Sequence, residues 1–240
     1  VAQGAPSPPL QFALDYYYHF PKVALGHYPP FLYVVQGAWM LVFPATRASL
    51  LVLNAMLIAL TGTLLCRFAR TQFGFPAGAG LAVLWVCLPL TQTYGGMVMA
   101  ETLLTVLVFG AALAYGRYLD RPELKHAAAF GFLAALAILT KQLALFLALA
   151  PPAAVLLARR VRLMRSLSFW LPAAIVAVAA GPWYLFAHTR LLKAPLGEML
   201  GYPLPSTTLA GQWGYLVQSS GWVIAGLMLA GLWARVIRPC

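Results

Sequence analysis

The chain has 240 residues, of which 62% are hydrophobic and only 9% are charged. This composition excludes a soluble globular domain and allows roughly seven membrane crossings of about 20 residues each. The net charge of +11 comes from short basic clusters between apolar segments, which are typical of topogenic charges and lipid-headgroup contacts. We therefore expect membrane lipids as partners and no nucleic acid. The three cysteines have no spacing that suggests a disulfide framework or a zinc site.

Residues 1–47 are predicted to form an outer loop with juxtamembrane helices. This segment is dense in aromatic, acidic and imidazole groups, among them Asp15, His27 and Tyr28. Residues 31–43 are apolar but would span only about 20 Å, less than the roughly 30 Å hydrocarbon core, so we predict an interfacial helix there. The chain starts at Val1 with no signal peptide, and we expect it to be a piece, incomplete at both ends, of a longer multispanning protein.

Seven long apolar segments follow, and the connections between them alternate in charge. The positive-inside rule places the more basic connections, with eleven of the 16 Lys and Arg residues, in the cytoplasm. The prediction is an all-α membrane protein, a polytopic transmembrane helix bundle with about seven crossings: six within 48–187, an outer loop at 188–217 and a last helix at 218–236. The apolar segments are 48–66, 76–92, 101–118, 126–140, 142–158, 168–187 and 218–234.

Lys141 interrupts an apolar run that extends from Ala129 to Ala158. An ammonium group at that depth is costly unless it has a partner or a function. One helix through the whole run would put Arg117 and Arg159 on opposite sides, so we predict two crossings with a turn at 140–142. The first crossing rises only about 22 Å, which would leave Lys141 below the outer surface and facing a cleft. The alternative is a lysine that snorkels at a helix end.

The predicted outer face collects the other unusual residues. Tyr94 and Glu101 belong to the loop before the third apolar segment, and Glu101 opens a helix. Its carboxylate either only interacts with the helix dipole or faces the same cleft as Lys141. A third outer region begins at Gly181, includes Tyr184 and contains His188 and Arg190, which an ordinary loop could also carry.

Carboxylates and cations on one face of a membrane suit a lipid-phosphate substrate. A carboxylate can take a proton from an acceptor hydroxyl, and a cation can stabilise a phosphate leaving group. Aromatic side chains can hold sugar rings by their apolar faces. The sequence contains no Walker motif and no His-Glu-x-x-His, so a nucleotide-binding or zinc-peptidase function lacks support.

Several short motifs occur in a particular order. Gly-His-Tyr-Pro-Pro at 26–30 precedes an apolar stretch, and Ala-Glu-Thr-Leu-Leu at 100–104 follows an outer loop. Leu-Thr-Lys at 139–141 closes an Ala/Leu-rich helix, and Pro-Trp-Tyr at 182–184 ends a later one. In this order and sidedness the motifs resemble the GT-C glycosyltransferases of the protein O-mannosyltransferase and aminoarabinose transferase superfamily, over most of the chain.

The resemblance implies a glycosyltransferase of the plasma (inner) membrane with its active site on the periplasmic or extracellular side. Such enzymes transfer a sugar with inversion from a polyprenyl-phosphate carrier to an acceptor hydroxyl on a lipid, glycan or protein. Lys141, with Arg190, would bind the donor phosphate, and Glu101 and Asp15 are the candidate catalytic carboxylates. The acceptor or the cleft would be lined by His27, Tyr28, Tyr94 and Tyr184.

One feature departs from the family pattern. The main catalytic acid of the family follows a first transmembrane helix that this chain does not contain, and Asp15 stands too close to the His-Tyr-Pro-Pro block to match it. We therefore expect that acid upstream of Val1 and the fragment alone to be inactive. A divalent metal ion is left open as a cofactor, with Glu101 and His188 as candidate ligands. The alternative functions are a multispanning transporter or lipid-handling protein and a structural membrane subunit.

Overall fold

A computed structural model describes residues 29–187 and the single residue 226. Residues 1–28, the predicted outer loop at 188–217 and, apart from residue 226, the predicted last crossing at 218–236 lie outside this range. The chain divides into two compact units. The described part of the first unit is 29–45 and 103–187, and the described part of the second is 46–102 and residue 226.

Residues 29–187 form helices and no strand. These helices overlap the segment predicted to form an interfacial helix and the six apolar segments predicted between 48 and 187. They are α1 Phe31–Met40, α2 Arg47–Phe73, α3 Phe75–Cys87, α4 Pro89–Gly95, α5 Glu101–Asp120, α6 Leu124–Thr140, a 3-10 helix Gln142–Leu149, α7 Ala150–Leu157, a second 3-10 helix Val161–Arg165, and α8 Leu167–Phe186.

The ends of the helices in the second unit follow from single residues. Thr46 caps α2, because its side chain accepts a hydrogen bond of 3.2 Å from the amide of Ser49. Gly74 ends α2 with a φ of 86°, a conformation that favours glycine. Leu88 is non-helical because it precedes Pro89, so α3 and α4 are bent by 58° at this break. The predicted segment 76–92 is therefore two helices and not one.

Helices α2 and α3 pack closely and run antiparallel. The indole nitrogen of Trp85 donates a hydrogen bond of 3.1 Å to the carbonyl of Ile58. Further along, a Cβ added to Gly78 would lie 2.6 Å from the carbonyl oxygen of Cys66. Only glycine permits this approach, which is the way small residues bring helices together in membranes.

The first unit is built around α6, whose buried face consists mainly of small residues. Gly131 lies against Pro172 and Ile175 of α8. Tyr184 contacts Ile138 near the other end of the pair, so α6 and α8 run parallel.

Helix α5 runs antiparallel to α6 from Leu103 on: Gly110 lies beside Leu133, and the rings of Tyr115 and Phe130 are 4.9 Å apart. The core of the unit consists of Ala111, Ala114, Tyr115, Tyr118, Ala127, Phe130, Ala134, Val155 and Phe169.

Three helices in the described part of the chain are long and apolar enough to cross a membrane by themselves: α2, α5 and α8. The bent pair of α3 and α4 becomes a fourth if it forms one span. Many large apolar side chains are exposed along these helices, including Val52, Val83 and Val178, as in a protein whose solvent is lipid. The predicted class, an all-α polytopic membrane protein, is confirmed. The interfacial position of α1, the crossings at 126–140 and 142–158 and the total of seven stay predictions.

Candidate functional site

Lys141 lies at a break between two helices of the first unit. Helix α6 ends at Thr140, Lys141 has extended backbone angles of −154° and 130°, and the 3-10 helix begins at Gln142. The lysine amide still donates a hydrogen bond of 3.0 Å to the carbonyl of Ala137. Thr140 is completely buried, whereas Lys141 is half-buried. The predicted break at 140–142 is confirmed, and it places the ammonium-bearing residue at a helix end rather than within a helix.

Tyr184 fixes this helix end from α8. Its hydroxyl donates a hydrogen bond of 3.0 Å to the carbonyl oxygen of Ile138. Ile138 is in the last turn of α6, where carbonyl groups lack the amide of a following helical turn. Tyr184 therefore provides a hydrogen-bond donor to a carbonyl group that lacks a helical partner because α6 ends at Thr140. The structure brings Tyr184 and Lys141, both predicted site residues, to the same end of the first unit.

Glu101 belongs to the second unit, where it opens α5 as predicted. Its side chain is half-buried, and the carboxylate oxygen Oε2 is shielded from solvent. The neighbours on both sides, Ala100 and Thr102, are buried. A carboxylate in the first turn of a helix is stabilised by the helix dipole. Since Glu101 and Lys141 fall in different units, their predicted proximity stays a prediction.

Asn54 of α2 is a polar residue that is distant from Glu101 in the sequence, and only the fold brings the two near each other. Sequence reasoning missed it. It is 4% exposed, its amide nitrogen donates to the carbonyl of Met97, and its amide oxygen accepts a bond of 3.1 Å from the Thr102 hydroxyl. The signal was available, because Asn54 is the one asparagine of the chain and lies in the middle of an apolar segment. Such a residue in a membrane helix is expected to have a specific partner.

Two further residues belong to the same part of the second unit. Arg47 at the start of α2 donates a hydrogen bond of 3.4 Å to the carbonyl of Gly96. Tyr94, a predicted cleft residue, is half-buried on α4, and its carbonyl accepts a bond of 3.2 Å from the amide of Met97. Tyr94 and Glu101 thus flank one short loop, residues 96–100, whose backbone is held by side chains of α2.

The other predicted site residues are Asp15, His27, Tyr28, His188 and Arg190, all of which lie outside the described range. Their roles stay predictions. Among the described residues no three His, Cys, Asp or Glu side chains are grouped so that they could hold a metal ion.

The opposite end of the first unit carries the basic residues that the sequence assigns to the cytoplasm. Arg160 donates to the carbonyl of Leu119 in the last turn of α5. The exposed Lys125 ammonium lies 2.6 Å from the Glu123 carboxylate, and this hydrogen bond lowers the pKa of Glu123 below its usual range. These contacts stabilise helix ends and a turn, and they are well separated along α6 from the Lys141 end.

A family model described as dolichyl-phosphate-mannose-protein mannosyltransferase matches residues 27–186, which is more than half of the chain. No curated protein and no solved structure matched. The chain therefore belongs to the dolichyl-phosphate-mannose-protein mannosyltransferase family, a family of polytopic membrane glycosyltransferases with the GT-C fold. The resemblance found in the sequence motifs is confirmed.

Proposed function

We propose that this member of the mannosyltransferase family transfers a sugar from a polyprenyl-phosphate carrier to a hydroxyl group of a lipid, glycan or protein acceptor on the outer face of the plasma membrane. Membership of the family supports a glycosyltransferase in preference to a transporter. The observation that carries the assignment of the site is the position of Lys141, a half-buried cation at a helix break in an otherwise apolar stretch.

Lys141 is proposed to bind the donor phosphate. Lysine binds phosphate as a point charge with three donors, and its charge counts for more where water is partly excluded. Lys141 has an extended backbone between the end of α6 and the start of the 3-10 helix. Arg190 is proposed as a second cation on the same phosphate, and Tyr184 is proposed to line the cleft beside it.

Glu101 is proposed as the carboxylate that acts on the acceptor, with Asp15 as the second candidate. Helix α5 is continuous from Glu101 to Asp120, and its part in the first unit runs antiparallel to α6. The Leu103 end of this part therefore lies at the same end of the first unit as the last turn of α6. A cation in the same cleft would keep the carboxylate ionised.

The proposed reaction is a displacement at the anomeric carbon of the sugar. The carboxylate accepts the proton of the acceptor hydroxyl while the acceptor oxygen forms a bond to that carbon. The bond from the anomeric carbon to the phosphate oxygen breaks, and its electron pair leaves with the polyprenyl phosphate, whose charge Lys141 stabilises. Attack from the face opposite to the leaving phosphate inverts the configuration. His27, Tyr28 and Tyr94 are proposed to bind the acceptor.

The test compares two lysines of the full-length protein in proteoliposomes. Lys141→Met should lower the transfer rate by roughly a hundredfold or more, because it removes a charge that acts on the leaving group. Lys125→Met is the matched control, since the Lys125 side chain is 71% exposed at the other end of α6, and it should retain the wild-type rate. Equal rates for Lys141→Met and wild type would assign Lys141 to snorkelling. Glu101→Gln tests the carboxylate in the same assay, and an unchanged rate would leave it only the helix-dipole role.

A further inference from the structure

Asn54 is buried in the N-terminal third of α2, a helix that is long and apolar enough to cross a membrane. A side-chain amide in such a place is costly unless both its donor and its acceptor find partners. Thr61, two turns further along α2, shows the usual solution: its hydroxyl bonds the carbonyl of Leu57 in its own helix at 3.1 Å. Asn54 instead forms hydrogen bonds with residues outside its helix, so its partners identify the segment that α2 holds in place.

The two partners of Asn54 stand on either side of Glu101. The amide nitrogen donates to the carbonyl of Met97, in the loop that leads to α5, and the amide oxygen accepts from the hydroxyl of Thr102, the residue after Glu101. Arg47 holds the same loop at the carbonyl of Gly96. All of these residues belong to the second unit. The loop and the first turn of α5 are thus tied to α2 by one side-chain amide, whose nitrogen donates to the loop and whose oxygen accepts from α5.

We propose that Asn54 and Thr102 form a positioning pair that sets the direction in which the Glu101 side chain leaves α5. This inference rests on the proposed catalytic role of Glu101. Because the hydroxyl of Thr102 is bonded to Asn54, α5 cannot rotate about its axis at this turn without breaking the bond. Rotation by one residue position would redirect the Glu101 carboxylate by about 100°. Asn54 acts through Glu101 and contacts no substrate.

A purely structural role of the pair makes different predictions from a positioning role. A single interhelical hydrogen bond in a membrane protein contributes too little to unfold a polytopic helix bundle. A misplacement of a catalytic group by about 1 Å, in contrast, can cost on the order of a hundredfold in rate. The pair should therefore matter for kcat much more than for folding or for donor binding.

The first experiment measures kcat and KM of the full-length protein in proteoliposomes with a polyprenyl-phosphate sugar. Asn54→Leu and Thr102→Val should each lower kcat by roughly ten- to a hundredfold and change the KM for the donor by less than about twofold. Thr102→Ser keeps the hydroxyl and should restore kcat to near the wild-type value. Thr61→Val removes a buried hydroxyl from the same helix as a matched control and should leave kcat unchanged. Equal losses for Thr61→Val and Asn54→Leu would overturn the inference.

The second experiment combines Asn54→Leu with Glu101→Gln. If Asn54 acts by positioning the carboxylate, the double variant should be no slower than Glu101→Gln alone. A further loss of the same factor as in the wild-type background would show that Asn54 acts elsewhere and would overturn the inference. A wild-type rate for Glu101→Gln would instead remove the proposed role of Glu101. A low rate for Glu101→Gln with a wild-type rate for Asn54→Leu would remove only the positioning role.

Discussion

The hydroxyl of Tyr184 donates a hydrogen bond of 3.0 Å to the carbonyl oxygen of Ile138, and this bond joins the last turns of α8 and α6 immediately before Lys141. The two helices are parallel, so the bond closes one end of their contact while Gly131 and Pro172 form the close approach further along. The position of the Lys141 backbone thus depends on a contact with α8, a helix that begins only at Leu167.

Tyr184→Phe should loosen the end of α6. The change leaves the Ile138 carbonyl without its partner, which costs about 1 kcal/mol and would correspond to a roughly fivefold higher KM for the donor if Lys141 binds its phosphate. Tyr118→Phe is a suitable control, because Tyr118 is also a buried tyrosine bonded to α8, through the Ser168 hydroxyl at 2.8 Å, but at the other end of the unit. Kinetics and thermal unfolding of both variants check the prediction. An equal rise in KM for Tyr118→Phe would contradict it.

Gly131→Ala should separate α6 from α8. The added Cβ would lie 2.7 Å from the Cα of Pro172, a backbone atom that cannot move by itself. Overpacking of this kind destabilises by about 1–3 kcal/mol, more than the helix propensity that alanine contributes. Gly116→Ala, in α5 and with no atom near the added methyl group, should be neutral or slightly stabilising. Thermal unfolding in detergent compares the two, and a Tm for Gly131→Ala at or above the wild-type value would show that the helices adjust.

The ion pair of Glu123 and Lys125 should give a small pH dependence of stability. Its hydrogen bond lowers the folded-state pKa of Glu123, so its contribution is present above the ordinary glutamate pKa of about 4.3 and is lost as the pH falls through the lower folded value. Because the pair is exposed, the effect should be small and should disappear in high salt. Unfolding of the wild type and Lys125→Met, followed from pH 6 to 3 at two salt concentrations, measures it. A difference between the two proteins that grows as the pH falls would have the wrong sign.

The sequence predicts the helices well because the length of an apolar segment and the charge of the connections on either side of it can be read without knowing any tertiary contact. The break at Lys141 could be derived from the sides on which Arg117 and Arg159 must lie, and the structure confirms it. The 58° bend between α3 and α4 was missed, although Pro89 marks it. A composition window averages over a proline, whereas a proline disfavours the helical conformation in the residue before it, and Leu88 has left that conformation.

The candidate site was predictable only in part. Lys141 and Glu101 stand out because charges are rare in apolar segments, and both lie at helix ends in the structure. Asn54 carries no charge, and its role depends on which residues α2 meets across the fold, here Met97 and Thr102. Such a contact is set by the rotation and depth of the helices, which hydropathy does not specify. The shared cleft of Glu101 and Lys141 stays a prediction for the same reason.

The path of the chain between residues 96 and 162 should cross the membrane an odd number of times. Helix α6 has 17 residues and would rise about 26 Å, slightly less than the roughly 30 Å hydrocarbon core, so the side on which Gln142 lies decides whether α6 crosses the membrane.

Single cysteines at Gly96, Gln142 and Arg162, in a background with Cys66, Cys87 and Cys240 replaced by serine, show on which side of the membrane each position lies. A membrane-impermeant maleimide should label Gly96→Cys and Gln142→Cys on intact cells, and Arg162→Cys only after permeabilisation, because the cluster around Arg162 is the most basic connection. Labelling of Gly96→Cys and Arg162→Cys from one side would contradict the topology. If Gly96→Cys and Arg162→Cys behave as expected but Gln142→Cys resists labelling from outside, residues 124–157 form a re-entrant pair, and Lys141 cannot reach a donor phosphate at the outer surface.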